Sequence, residues 1–170
     1  ETFSLAPKLF EEAAAKEPGS SYAHIFLAAD YKVLAIHKLK REGAGLAAAL
    51  FTRSFESLKA GINAPDFDRY LHKARAHADL SKEYQQRGLL DQAALEAHKA
   101  IAADPDPVAW SDAHQVLGFV SLGSNDLDSA LRQFDEALRL APQAHGIQVG
   151  RAKPLLLYCD YWRSSGAMDK

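Results

Sequence analysis

The sequence predicts an all-α fold, an α-solenoid of antiparallel helix pairs with about eight helices and one elongated hairpin, and three observations predict it. Alanine and leucine dominate, and β-branched residues never alternate with polar ones over a useful length, so the composition is helical. Glycine, proline and Asp/Asn clusters interrupt the chain at short links, which forces consecutive helices to pack antiparallel. Small residues recur behind those stops at one fixed spacing, the mark of a repeated packing unit.

Each element follows from its punctuation. A helix over 4–16 is stopped by Pro18-Gly19-Ser20; the next runs over 20–41 to Gly43, and its successor over 44–60 to Ala64-Pro65-Asp66. A helix over 66–87 is predicted from that Pro-Asp start, with the acidic residues of "PDFDR" at the positive end of its dipole and Gly88 at its close. Helices over 90–103, 108–122 and 127–140 are bounded by Asp104-Pro105-Asp106-Pro107, Gly123-Ser124-Asn125-Asp126 and Pro142. A last helix is predicted around 145–163.

The repeated spacing can be read directly. Residues 111–144 carry His114-x2-Leu117-Gly118-x2-Ser121, then Ala130-x3-Phe134-x2-Ala137-x4-Pro142. Residues 74–107 carry His77-x2-Leu80-Ser81-x2-Tyr84, then Ala93-x3-Ala97-x2-Ala100-x4-Pro105. The opening supplies Ala6-x3-Phe10-x2-Ala13-x4-Pro18, a second helix without its first, and His24-x2-Leu27-Ala28-x2-Tyr31 follows. Small residues at Ala93 and Ala130 let paired helices approach to about 8–10 Å, and Leu117 and Phe134 fill the space between layers. No such pair buries its apolar face alone, so neighbours must stack.

This spacing resembles the tetratricopeptide repeat (TPR), whose pattern is W-x2-L-G-x2-Y, A-x3-F and a closing Pro. Here His stands in the Trp position, and Ser121 and Ala97 replace Tyr and Phe. The resemblance divides a single domain over 1–170 into a partial repeat over 1–18, an elongated repeat over 21–60, repeats over 74–107 and 111–144, and a capping helix and tail over 145–170. Sixteen residues separate Tyr31 from Ala47, against nine from Tyr84 to Ala93, so the second pair is longer by about two turns and should protrude. Residues upstream of Glu1 would complete the first repeat or carry a signal.

The chain has 170 residues, 48% of them apolar, enough for a core, and a formal net charge of −2. That charge is not the footprint of a nucleic-acid binder. A single cysteine, Cys159, excludes an internal disulfide framework and a Cys-based zinc cluster. Without an apolar run of eighteen residues, no membrane insertion is expected, and the chain reads as soluble, cytoplasmic or periplasmic. Its alanine content and compact turns suit a bacterial source.

Chemistry-bearing residues point away from catalysis. The recurrent "AH" pairs at His24, His77, His114 and His145 fall on successive layers with no second ligand beside them on the same helix, so no metal site is predicted. His37, His72 and His98 are placed on solvent faces. Cys159 lies in an apolar run with no His and carboxylate pattern around it, and Gly43, Gly45 and Gly61 follow no strand. No catalytic residue and no cofactor is assigned.

The resemblance implies protein–protein interaction through the concave face formed by the first helix of each repeat. The positions it places there for binding are Arg75, Lys82, Gln85, Asp112, Gln115 and Phe119, with Tyr22, Ile25, Ala29 and Lys32 in the preceding unit. The Lys/Asn set that clamps a terminal carboxylate in chaperone-binding relatives is missing, and Asp112 offsets the pull of Arg75 and Lys82 on an anion. The tail adds Tyr158, Tyr161 and Trp162 in a segment apolar nearly all round, which either packs over the last repeat with Tyr and Trp at the rim or takes a second covering surface from a partner, a further segment or another copy. The expected function is a scaffold, an adaptor or a structural subunit that holds a protein or peptide partner. The alternatives are a small-ligand or transport-associated protein with an enclosed pocket between helices 20–41, 44–60 and 66–87, and a metal protein or enzyme built on the His series.

Overall fold

The computed structural model of the chain describes residues 5–143 and residue 150, all of them in helices, turns and links with no strand among them. The helices are α1 (Leu5–Lys16), α2 (Ser21–Glu42), α3 (Ala44–Ile62), α4 (Lys73–Gln86), α5 (Leu90–Ala102), α6 (Pro107–Gly123) and α7 (Leu127–Leu140). A 3-10 turn, Phe67–Arg69, lies between α3 and α4. The chain forms two compact units, Glu1–Ala76 and His77–Lys170, and the boundary falls inside α4.

In the first unit, α2 and α3 pair along their length and α1 packs on α2. At 22 and 19 residues, α2 and α3 exceed the 17 and 14 of α6 and α7, so this hairpin is the elongated one. Two contacts fix its pairing. The Ser54 hydroxyl donates to the carbonyl of Ala28 at 2.7 Å within the buried interface. At the base, Gly61 sits so close to α2 that a Cβ there would lie 2.6 Å from Ile25 Cγ1 and 3.1 Å from the Ser21 carbonyl. Ala35 and Ala47 are buried further along the same pair. Around α1, the buried cluster is Ala14, Ala23, Leu27 and Tyr31, flanked by Phe10, Ala13 and Leu50. The Tyr31 hydroxyl donates to Glu11 Oε1 of α1, and Arg53 of α3 lies 3.5 Å from the same carboxylate, so one polar knot ties three helices. Burial, then the Glu11 bond, pushes the Tyr31 hydroxyl up to about 12.

The helix expected over 66–87 is interrupted. Phe67–Arg69 makes one 3-10 turn, Tyr70 is extended at φ −69°, ψ 129°, and the α-helix starts only at Lys73. The reason is tertiary. Phe67 and Tyr70 are buried together with Ala76 and pack on Ile25 and Ile62, which pulls the segment onto α2 and α3. Asp66, expected to start a helix of its own, instead accepts from the Ser21 backbone N–H at 2.7 Å and so caps α2. That bond holds its carboxyl below the usual range.

The second unit repeats a simpler unit. Asp106 caps α6 by accepting from the N–H groups of Val108 and Ala109, each at 3.0 Å, with Pro107 as the first helical residue. Asp126 caps α7 through Ser129 N–H at 3.0 Å. The intervening turn is closed by Asn125 at φ 58°, and Gly88 takes φ 73° at the α4–α5 turn. Ala93, Ala97 and Ala100 on α5, and Ala130, Phe134 and Ala137 on α7, are fully buried, as the spacing requires. Phe134 is accommodated because α6 presents Gly118: a Cβ there would stand 2.8 Å from the ring. Residue 150 is a buried helical glycine at the same ring, where a Cβ would fall 2.7 Å from Phe134 Cε1.

Candidate functional site

Of the histidine series, His77 and His114 bond between helices, and His145 lies outside the described residues. His77 Nδ1–H on α4 donates to Glu96 Oε2 on α5 at 2.6 Å, and His114 Nδ1–H on α6 donates to Gln133 Oε1 on α7 at 2.7 Å. Both bonds link residues 19 apart, so the same tie recurs in two successive helix pairs. Lys99 donates to the other Glu96 oxygen at 2.7 Å. Burial raises the Glu96 carboxyl, but the bonds from His77 and Lys99 outweigh it and leave the group below its usual range. His24 Nε2–H donates to the Pro18 carbonyl at 3.1 Å. Among the described residues, no three His, Cys, Asp or Glu side chains converge as a metal site would need.

Of the positions expected to bind a partner, the second unit brings several together. Lys82 Nζ of α4 and Asp112 Oδ2 of α6 form an ion pair at 2.5 Å, with both side chains largely sheltered. Gln85 and Gln115 lie half-buried one turn further along the same two helices. Phe119, the next position on α6, is half-buried with its ring edge-on to Phe134 at 5.2 Å, so it belongs partly to the core. The face therefore offers amide donors and acceptors around a neutralised charge pair, which suits main-chain hydrogen bonding to a peptide better than capture of an anion. Arg75 belongs to the first unit, where it is half-buried and already engaged. Tyr158, Tyr161 and Trp162, like the helix expected around 145–163 beyond residue 150, lie outside the described residues.

A second surface lies in the first unit, where the sequence places Tyr22 and Ala29 at a binding face but does not mark the cleft there. Between α1 and the start of α2, a cleft of about 460 Å³ is lined by Leu9, Phe10, Ala13, Tyr22, Ala23 and Phe26, with Glu12, Lys16 and Glu17 at its edge. Phe10 stacks on Phe26 at 5.6 Å, Phe26 on Tyr22 at 6.4 Å, and Tyr22 meets Tyr70 edge-on at 4.7 Å. The cleft lies on α1 and α2, and so shares only α2 with the three helices expected to enclose a small-molecule pocket. Its signal was present in the sequence as Tyr22, Phe26, Ala29, Val33 and Ile36, one apolar stripe at helical spacing on α2, all of it exposed. No described helix is long and apolar enough to cross a membrane.

Solved structures with this architecture are TPR proteins. TTC0263, a thermophilic TPR protein of Thermus thermophilus, matches with a TM-score of 0.58 at 23% identity over 91% of this chain and 74% of its own. A chain of the APC/C hetero-tetramer Cut9–Hcn1 matches with a TM-score of 0.54 at 14% identity over 92% of this chain and 34% of its own. No protein-family model matches the sequence, and no curated protein does. The chain has a TPR-like helical-repeat fold.

Proposed function

We propose that this chain is a protein-interaction scaffold, an adaptor or a structural subunit of a larger assembly, and that it acts by binding rather than by catalysis. The observation that carries this reading is the α4–α6 face of the second unit, where the Lys82–Asp112 pair at 2.5 Å is flanked by Gln85 and Gln115. A partner held there presents an extended segment of low net charge, since neither ion is left to attract a counter-charge, and its backbone meets the two amides. The TPR-like fold supports the reading, as does the place of the matching chain in the Cut9–Hcn1 hetero-tetramer. Tyr158, Tyr161 and Trp162 supply a second contact in this proposal, because large amphipathic rings in an apolar segment are effective interface anchors.

The test is affinity capture from the native source with three baits: the intact chain, the Gln85→Arg/Gln115→Arg variant, and a chain ending at Gly150. A partner retained by the intact chain and lost by the arginine variant supports the α4–α6 face. Capture that survives the arginine variant removes that face from the reading, and capture that survives the truncation removes the tail.

A further inference from the structure

The α2–α3 hairpin carries an extension whose limits can be read from a contact that both long pairs share. In the α6–α7 pair the Ser111 hydroxyl donates to the Ala137 carbonyl at 2.8 Å. In the α2–α3 pair Ser21 holds the place of Ser111, three residues before the histidine, and a Cβ on Gly61 would lie 3.1 Å from its carbonyl. Gly61 is therefore the counterpart of Ala137, and the buried Ser54, rather than Ala47, is that of Ala130. Tyr31 to Ser54 is 23 residues against nine from Ser121 to Ala130. Each helix thus gains about two turns, or about 10 Å. On this register the end of α6, Gly123, falls at Val33 and the start of α7, Leu127, at Phe51, so the added hairpin is 34–50. In the second unit the neighbouring α5 begins level with Gly123, where a Cβ would lie 2.8 Å from Leu90 Cδ1. A neighbour of that length on α2 reaches Val33 and leaves 34–50 uncovered. The extension buries only Ala35 and Ala47, so it adds little to the core. Its surface is apolar and cationic: Ile36, Leu39 and Leu46 are 43%, 47% and 59% exposed, and Lys38, Lys40 and Arg41 stand against one carboxylate, Glu42, which Lys38 engages at 2.5 Å. Three cations less one carboxylate give the extension +2, while the rest of the chain, with 17 basic and 21 acidic residues, carries −4.

We propose that this extension docks the protein on an anionic phospholipid surface, its apolar end entering the headgroup layer while its cations meet the lipid phosphates. No described helix is long and apolar enough to span the bilayer, and none needs to. Ile36 and Leu39 lie on α2 and Leu46 on α3, on either side of the Gly43 turn, so the exposed apolar side chains surround the end of a hairpin and line no groove. A fluid interface covers such an end from every side, whereas a protein helix covers one continuous stripe. From Gly43 to Thr52 the chain carries no charge. At the same end α3 starts without a side-chain cap or an acidic residue in its first turn, which turns the positive end of its dipole towards the phosphates. Lys40 and Arg41, exposed in the last turn of α2, have long stems that let the apolar residues sink while the charges stay among the headgroups. Charge draws the hairpin to the surface, and apolar burial holds it there. No residue of the α4–α6 face takes part, so either reading can fail without the other.

The test is co-sedimentation of the full chain with vesicles of pure phosphatidylcholine and of equimolar phosphatidylcholine and phosphatidylserine. The mixed vesicles are expected to bind at least about tenfold more tightly, with the affinity falling as salt is raised. Lys40→Glu/Arg41→Glu is expected to abolish that difference, and Leu39→Ser/Leu46→Ser to weaken binding to the mixed vesicles at least about fivefold. Arg69→Glu/Arg132→Glu makes the same charge change outside the extension and is expected to leave binding within about twofold. All six positions are exposed, and circular dichroism with the melting midpoint checks that each variant keeps its fold. Equal binding to the two vesicle types, binding to neither, or the same loss in the Arg69/Arg132 variant as in the Lys40/Arg41 variant overturns the proposal. Vesicle binding untouched by the serine variant, together with a fluorescent decaglutamate peptide held through Lys40 and Arg41, also overturns it, in favour of an acidic protein segment as the occupant.

Discussion

Phe134→Ala is the sharpest test of how the repeat is packed. Among the described residues the ring is the largest fully buried side chain, it meets Phe119 edge-on at 5.2 Å, and Gly118 and Gly150 both approach it with no side chain of their own. Truncating a buried Phe to Ala costs about 3–5 kcal/mol, and the upper half of that range applies here because two glycines cannot collapse into the space. The middle repeat shows how the sequence solves the opposite case: Ala97 takes the place of Phe134, and Ser81 takes the place of Gly118, both fully buried. Gly118→Ser alone puts a Cβ 2.8 Å from the ring and should cost about 1–3 kcal/mol, whereas in the Phe134→Ala background it should restore about 1–2 kcal/mol. Both tryptophans, Trp110 and Trp162, lie in the sequence of the second unit, so their fluorescence during urea unfolding follows that unit. A loss below about 1 kcal/mol for Phe134→Ala, or the same cost for Gly118→Ser in both backgrounds, refutes this packing account.

Three further outcomes follow from single contacts. Glu96 is held ionised by its bonds in the folded chain, so its contribution is complete above the unfolded carboxyl range and is lost as the pH falls through the lowered folded value. Glu96→Gln keeps the His77 bond, as Gln133 does for His114, and urea midpoints should show wild type ahead at pH 7 with the gap closing from about pH 5 towards pH 3. Asp106→Ala removes the acceptor for two N–H groups of α6 and should cost about 1 kcal/mol in the same unfolding experiment. A double-mutant cycle on Lys82→Met and Asp112→Asn should give a coupling of about 0.2–1 kcal/mol that shrinks in high salt, since both side chains retain some exposure.

Much of this fold was legible because the signals are local and repeated. The helix expected over 127–140 is Leu127–Leu140, and that over 108–122 is Pro107–Gly123, since an aspartate cap and a Gly-Ser-Asn-Asp turn act within a few residues. The break before α4 was not legible. Phe67 and Tyr70, three apart, satisfy a helical stripe, and only their burial against Ile25 and Ile62, with Asp66 drawn to Ser21, selects the 3-10 turn. The hairpin pairing was partly legible: the lengthening showed in the spacing, but the close approach at its base comes from Gly61, which carries no pattern of its own. For the site, the Lys82–Asp112 offset could be reasoned from charge on adjacent helices. The ties from His77 to Glu96 and from His114 to Gln133 could have been read from their common separation of 19 residues, yet each residue alone resembles an exposed polar position. The α1–α2 cleft was hidden because apolar residues at helical spacing ordinarily signal a buried face, and only the structure leaves Leu9, Tyr22 and Phe26 open.

The most direct measurement of the scaffold reading is site-specific photo-crosslinking in extract of the native source, with p-benzoylphenylalanine placed either at Gln115 on α6 or at His98, which is exposed on α5. Position 115 is predicted to give a discrete protein adduct that position 98 does not. No adduct from 115, or the same adducts from both positions, contradicts binding on the α4–α6 face.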